Sequence, residues 1–170
     1  MVSKKGWIGI MAALLTLSLL LVNGCSQKSA EEKMTEKALK LATGKDVNVK
    51  MEEGKVQFEE KGSRSEIAET STWPSDLSTE VPRFTGGKIV RVSKGHEQGD
   101  MWTFNIYFEA INGDDIKSYA GAMKNKGWQT ELMQMEDNGG YLNGTKGTMG
   151  MNFGFDLEKK DGMLAVFNRP

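Results

Sequence analysis

The chain has 170 residues, a length that suits one domain and leaves little room for two well-buried cores. Its 23 acidic and 22 basic side chains nearly cancel, and the formal net charge is −1. Phosphate backbones require a basic patch, and a chain without a surplus of basic residues argues against nucleic acid as a partner. Cys25 is the only cysteine, and an intramolecular disulfide is therefore excluded as well.

The N-terminal segment has the organisation of a secretory signal. Lys4 and Lys5 are the only charged residues before Cys25, and Ile8 begins an uncharged run that ends at Val22. A signal peptide has an apolar stretch of about this length, whereas a membrane-spanning helix needs roughly 20 apolar residues. We interpret residues 1–24 as a signal peptide.

The end of that apolar run indicates how the chain is processed. A small residue, Gly24, directly precedes the only thiol, and the stretch Leu21-Val22-Asn23-Gly24-Cys25 resembles the lipobox of bacterial lipoproteins. The resemblance implies cleavage between Gly24 and Cys25 and attachment of a diacylglycerol to the thiol, with an uncleaved anchor helix as the alternative. The acylated chain would then be held at the cell membrane or the outer membrane, outside the cytoplasm. In a two-membrane bacterium, Ser26 would permit delivery to the outer membrane.

Residues 25–72 are predicted to form a tether. Ser29 and Glu32 have the spacing of a capping box, and Gly44 is a plausible end for the helix that follows. This helix has a narrow apolar stripe, which could bind a partner or a membrane surface, or could simply dock loosely on the domain as a spacer. The second interpretation is favoured because the stripe is thin. Its members are Met34, Ala38 and Leu41.

The second half of the tether is predicted to be a hairpin and a linker. Apolar and polar residues alternate over 47–51 and again over 56–58, on either side of a turn at 52–55. Two strands alone are marginal in water, so this hairpin should pair with something else. Residues 59–72 are polar and rich in Gly, Ser and Thr, which predicts a flexible linker.

Residues 73–170 are predicted to form a globular domain. The order of elements is β-β-α-β-β-β-β, and the tight turns make the joined strands antiparallel neighbours. The predicted class is α+β, an antiparallel sheet with one helix packed on one face, preceded by the N-terminal helix and the hairpin. Asp114 or Asp115 is expected to cap the domain's helix, and Gly127 to end it.

The strongest strand pattern also predicts the core. Apolar residues alternate without a break from Trp102 to Ala110, so they should share one buried face of a strand. We expect the apolar stripe of the helix to pack on that face, with Phe153 and Phe155 completing the core. The stripe consists of Ile116, Tyr119, Ala120 and Met123.

Several short motifs give the chain a family resemblance. The mature chain is similar to a group of small exported bacterial lipoproteins of unknown function, which share a Pro-rich lead into the domain and a helix that ends in a Gly-aromatic pair. The matching residues are turn and packing residues, so the resemblance implies a fold and a location and supplies no catalytic residue. They are Trp73-Pro74, Val81-Pro82-Arg83-Phe84-Thr85-Gly86-Gly87 and Lys124-Asn125-Lys126-Gly127-Trp128.

The only histidine lies among carboxylates. His96, Glu97 and Asp100 fall between the first two strands of the domain and could supply three zinc ligands if the loop folded back on itself. A solvated hairpin loop is the favoured interpretation. No Ser-His-Asp or Cys-His set can be named, and no metal or other cofactor is expected.

Methionines form the other unusual pattern. Met133 and Met135, and Met149 and Met151, each place two thioethers on one face of a predicted strand. Thioether ligands suit Cu(I), but Met also fills irregular gaps in hydrophobic cores. The core interpretation is favoured because the second pair continues the apolar face that leads to Phe153.

These patterns predict a membrane-anchored, non-enzymatic binding or envelope-accessory module, with an envelope protein or polymer as its possible partner. The alternatives are a hydrolase that acts on envelope polymers through carboxylates dispersed in the sequence, and a Met-based copper-binding protein. A pair of buried carboxylates in a cleft would favour the hydrolase, whereas carboxylates spread over the surface would favour the binding module.

Overall fold

The computed structural model describes residues 30–96, 100–134 and 138–168, which form two helices and nine strands. In chain order these are α1 (Ala30–Thr43), β1 (Asn48–Glu52), β2 (Lys55–Glu60), β3 (Ser63–Ala68), β4 (Lys88–His96), β5 (Trp102–Glu109), α2 (Gly113–Asn125), β6 (Gln129–Gln134), β7 (Gly139–Lys146), β8 (Met149–Asp156) and β9 (Asp161–Asn168).

The nine strands form one antiparallel sheet in the order β1-β2-β3-β4-β5-β9-β8-β7-β6. Strands that follow each other in the chain are neighbours, except that β9 returns to pair with β5 after α2 and β6 to β8. The predicted α+β class, with an N-terminal helix preceding a hairpin, is confirmed, and so is the β-β-α-β-β-β-β order after residue 73.

One face of β4 to β9 carries the main core. Helix α2 lies on this face, and its predicted stripe of four residues is buried. Residues 73–87 cover the same face beside it, and Phe84 from this segment sits at the centre. Its ring contacts those of Phe108 and Phe153, each with a centroid distance of 4.9 Å, and that of Tyr119 at 5.3 Å. The core therefore forms from three parts of the chain.

The two ends of helix α2 are set by the residues that flank it in the sequence. Asn112, not Asp114 or Asp115, caps the helix, because its side-chain oxygen accepts hydrogen bonds from the backbone N–H groups of both aspartates, each at 3.0 Å. The predicted cap was therefore wrong by two or three residues, and the aspartates occupy the first turn, where negative charge is favourable. Gly127 ends the helix as predicted, with a φ of +81° that favours glycine.

Strand β5 has the predicted alternation over most of its length. Phe104, Ile106 and Phe108 are buried in the core, and Trp102 packs against it from the edge. Ala110 does not belong to this face: it is exposed, lies beyond the strand and has a φ of +57°. The pattern thus predicted the buried face correctly and its last residue incorrectly.

The polar segment 59–72 differs most from its prediction. It is not a flexible linker throughout, because Ser63–Ala68 form β3, which pairs with β2 on one side and with β4 on the other. Backbone hydrogen bonds to two neighbours hold this strand, so it needs little side-chain hydrophobicity. The strand also joins the predicted hairpin to the main sheet.

The apolar side of the sheet changes between β3 and β4. Ile67 and Val56 are partners in register, and the same row continues through Ser93 to Asn105, which points away from α2. The hairpin therefore turns its apolar residues to the face opposite the main core. Val49, at the edge of that second apolar layer, is fully buried.

Helix α1 lies along the free edge of β1. The carboxylate of Glu36 accepts a hydrogen bond from the backbone N–H of Val49 at 2.8 Å, and that of Glu32 accepts one from the N–H of Met51 at 2.7 Å. The glutamates are four residues apart, which places them on the same side of the helix, about one turn apart. In an antiparallel edge strand every second N–H group points away from the neighbouring strand, and those of Val49 and Met51 are two that point away from β2. Two side chains thus satisfy donors that would otherwise form an open strand edge.

Candidate functional site

A groove of about 600 Å³ lies on the open face of the sheet, opposite α2. Its floor is formed where β4, β5, β9 and β8 run side by side. Tyr107 pairs in register with Arg91 and with Met163, and Met163 pairs with Gly154. Directly opposed residues of neighbouring strands point to the same face, so these four form one row across the groove.

The floor combines an aromatic ring, a thioether and a bare stretch of backbone. Tyr107 and Met163 are half-buried, and a Cβ placed on Gly154 would meet no atom within 4 Å. The groove is therefore open above the glycine, where a ligand could approach the strand closely. Aromatic and Met side chains on such a surface offer a large apolar contact area and require few hydrogen-bond partners from a ligand.

A β-bulge positions Arg91, whose guanidinium is the one that lines the groove within the described part of the chain. The register shifts between Ile89 and Arg91, so Val90 has no partner of its own on β5. Because of this extra residue, Ile89 and Val92 both face the core, although they are three positions apart. Arg91 is thereby directed to the open face, where its guanidinium carbon lies 3.9 Å from the centroid of the Tyr107 ring. A stacked Arg is held in place and keeps its N–H groups for a ligand.

Carboxylates line one end of the groove. Glu109, Asp161 and Asp156 are partners in register across three adjacent strands, and Glu69 approaches from the end of β3. Like charges placed opposite each other are unfavourable, and they persist here because the side chains reach solvent. Glu109 and Asp161 are exposed and Asp156 is only half-buried, so none forms a buried pair.

Asp156 is further stabilised as an anion. Its carboxylate accepts hydrogen bonds from the backbone N–H groups of Lys159 and Glu158, at 2.9 and 3.0 Å, and forms an ion pair with the Lys159 ammonium. The hydrogen bonds from Lys159 and its positive charge lower the pKa of Asp156 below the usual range. This carboxylate can attract a cation or accept hydrogen bonds, but it is poorly suited to donate a proton.

The candidate site residues predicted from the sequence lie only partly within the described residues. Gly24 and Cys25 lie outside the described residues, as does Glu97. His96 is the last residue of β4 and is exposed, and Asp100 accepts a hydrogen bond through its backbone carbonyl from the Asn168 side chain at 2.8 Å. Within 30–96, 100–134 and 138–168, no three His, Cys, Asp or Glu side chains are arranged to hold a metal ion.

Among the four methionines singled out by the sequence, the three that the structure describes do not share one face of the sheet. Met151 is buried in the core and Met149 packs against it, as the core interpretation predicted. Met133 is 44% exposed and lies in the row of Tyr141 and Gly154, on the opposite face of the sheet. Met133 and Met151 therefore cannot bind one ion together, and Met135 lies outside the described residues.

Sequence reasoning missed the groove because its floor joins strands far apart in the chain. Tyr107 and Met163 become neighbours only through the pairing of β5 with β9, which no local pattern specifies. One local signal was available. The three-residue spacing of the apolar residues Ile89 and Val92 breaks strand alternation and is typical of a bulge, a feature that often lies beside a binding site.

Comparison with known proteins gave no relative: no family model, no curated protein and no solved structure matches this chain. Neither helix of the described part of the chain is both long and apolar enough to cross a membrane.

Proposed function

We propose that this protein is a lipid-anchored binding module of a bacterial cell envelope, held outside the cytoplasm by an acylated Cys25. The observation that carries the anchor is the N-terminal sequence: two lysines, an uncharged run over 8–22, and a small residue directly before the only thiol. Two or three acyl chains hold a protein firmly, since burial of each methylene contributes about 0.8 kcal/mol.

The open-face groove is the proposed binding site. Arg91 is already stacked on Tyr107, so part of its conformational entropy is lost before a ligand arrives. Arg, Tyr and Met are the side chains enriched at protein interfaces, and the carboxylates at one end add a complementary charge. The strands of the sheet hold all these groups except Glu69, which directly follows β3, and this favours a preformed site over one that must fold around its ligand.

Binding is a better account of this groove than hydrolysis. A hydrolase with two carboxylates needs one group whose pKa is raised, so that it stays protonated and can act as the acid. The pKa of Asp156 is shifted in the opposite direction, and its neighbours Glu109 and Asp161 are exposed. Solvated carboxylates at the rim support a binding module.

Metabolic labelling with a tagged fatty acid such as palmitate tests the anchor. The native chain should incorporate the label, and Cys25→Ser should abolish incorporation because the hydroxyl replaces the acceptor thiol. Ser26→Ala is the matched control, because it alters the adjacent residue and keeps the thiol. Equal labelling of Cys25→Ser and the native chain would refute the lipoprotein assignment.

Photo-cross-linking on whole cells tests the groove. A benzophenone amino acid replaces Tyr107 on its floor, or Lys124, which is exposed on α2 at the opposite face. We expect a discrete cross-linked species from position 107 and none from position 124. A cross-link that forms equally well from both positions, or only from 124, would contradict the assignment of the groove.

A further inference from the structure

The two sides of helix α1 have opposite character. The side that faces the sheet carries Glu32 and Glu36, whose carboxylates are used by the edge of β1. Glu32 is only 8% exposed, although it is charged. Two charged acceptors therefore take part in the contact that holds α1 on the sheet, beside the half-buried Leu39 on the same side of the helix and the fully buried Val49 of β1.

The apolar stripe of α1 faces solvent. Met34 is 72% exposed and Leu41 is 80% exposed, and Ala38 between them is exposed as well. The favoured interpretation of the sequence is a spacer helix that docks loosely on the domain. The helix does lie against β1, but its apolar stripe is turned away from the sheet. Large apolar side chains at successive turns of one helix face form a surface that lacks a partner within the described part of the chain.

The charges of α1 are segregated in the same way. The helix contains three acidic and three basic residues, so its composition is neutral. Because Glu32 and Glu36 are directed to β1, the side away from the sheet is left with an excess of positive charge. Lys33 and Lys37 are exposed beside the stripe. The outer surface thus combines large apolar side chains with flanking lysines.

We propose that this outer face of α1 rests on the surface of an anionic lipid bilayer, with Met34, Ala38 and Leu41 inserted among the headgroups. The inference rests on the proposed acylation of Cys25. Four residues lie between Cys25 and Ala30, so a fully extended chain, at about 3.6 Å for each of five steps, keeps the start of α1 within about 18 Å of the anchored residue. The helix is about 21 Å long, so it reaches the bilayer surface along its whole length when it lies flat.

A bilayer fits this surface better than a second copy of the chain. In an antiparallel pair of α1 helices, the lysines that flank the stripe would face the lysines of the other copy. Anionic headgroups instead attract lysines, whose long side chains can extend to the phosphates while the stripe inserts. Its apolar stripe and flanking lysines have the composition of a helix that lies at a membrane interface. The other side of such a helix faces water, whereas the other side of α1 faces the sheet.

Depth measurements on the reconstituted lipoprotein test the proposal. A nitroxide is attached to Met34→Cys or Leu41→Cys in the full chain, where acylation blocks Cys25, and Lys124→Cys provides an exposed control on α2. In vesicles with 30% anionic lipid, the probes at 34 and 41 should be several-fold more accessible to oxygen, relative to a water-soluble nickel complex, than the probe at 124. In zwitterionic vesicles this ratio should fall towards the control value.

The possible outcomes separate the two proposals. Mass spectrometry before labelling reports whether Cys25 is acylated; an unmodified thiol overturns the lipoprotein assignment and this inference with it. An acylated chain whose probes at 34 and 41 match the probe at 124 overturns only the inference. Dipolar broadening between probes would assign the stripe to a second copy, and equal insertion in zwitterionic vesicles would overturn the role of the lysines.

Discussion

The hydrogen bonds from β1 to helix α1 give the sharpest test of the structure. Glu32→Ala with Glu36→Ala removes both carboxylates that accept from the N–H groups of Val49 and Met51. A hydrogen bond to a charged acceptor contributes about 1.5–3 kcal/mol, so the pair stabilises the docking of α1 by about 3–6 kcal/mol. A helix of 14 residues is marginal in isolation, and we expect α1 to detach and fray once both contacts are lost.

Amide hydrogen exchange measures this effect at the two donors. In the double variant, the N–H groups of Val49 and Met51 should exchange at least a hundred-fold faster, while amides of β5 and β9 should keep their protection because the main core is untouched. Far-ultraviolet circular dichroism should show a loss of helix corresponding to α1. The freed edge should also pair with other chains, so light scattering should reveal concentration-dependent dimers.

Two controls make the reasoning refutable. Glu31→Ala also removes a carboxylate from the first turn of α1, but residue 31 is rotated by about 100° from Glu32 around the helix, so it should leave both amides protected. Glu32→Gln with Glu36→Gln keeps an acceptor oxygen without the charge and should give an intermediate effect. Unchanged exchange at Val49 and Met51 in the double alanine variant would show that the carboxylates do not hold the edge.

Three further predictions concern the core and the open face. Phe104→Ala should lower the free energy of unfolding by about 3–5 kcal/mol, out of a total of about 5–15 kcal/mol, because Phe104 is buried in the core. Tyr107→Ala, on the open face of the same strand, should lower it by less than half as much. Equal urea midpoints for the two variants would refute the assignment of faces. Burial raises the pKa of Tyr119, and its hydroxyl has no hydrogen-bond partner among the described residues. Tyrosine in the unfolded chain ionises at a pH of about 10, before Tyr119 in the folded chain, so the native chain should lose stability as the pH rises above that value. Urea titrations at pH 9 and 11 should show that Tyr119→Phe removes the loss of stability caused by this ionisation, and at pH 7 the variant should be at least as stable as the native chain. The full chain should retain no Cu(I) against a chelator, because Met133 and Met151 lie on opposite faces; stoichiometric uptake that is abolished by Met133→Leu would contradict this.

The sequence predicted the elements whose side chains are buried against the main core. The alternation of β5 and β8 and the stripe of α2 are direct consequences of burial on one face, and the structure buries Ile106, Phe153 and Ile116 accordingly. The hairpin and the class of fold followed from the same patterns and from turn residues. In these regions, the local sequence pattern and the tertiary packing favour the same secondary structure and the same buried face.

The features that were missed depend on the backbone or on distant pairing. Strand β3 is held by hydrogen bonds on both sides, so its sequence needs no alternation. Charge alone favours Asp114 or Asp115 as the cap of α2, whereas the structure uses the amide oxygen of Asn112. The apolar stripe of α1 gives no indication of its contact with β1, in which two glutamates accept hydrogen bonds from the strand. The groove needed the pairing of β5 with β9, which is a property of the complete sheet.

Together with the proposed anchor at Cys25, the order of strands would have a mechanical consequence. Sheet order follows chain order from β1 to β5, so a pull on residue 25 would act on the outermost strand and open the sheet one strand at a time. Release of residues 48–68 would add about 70 Å of extended chain, while β4, β5, β8 and β9 would keep the groove assembled. A ligand held in the groove could then move away from the membrane under load without being released, and stepwise extension in an optical trap would show this.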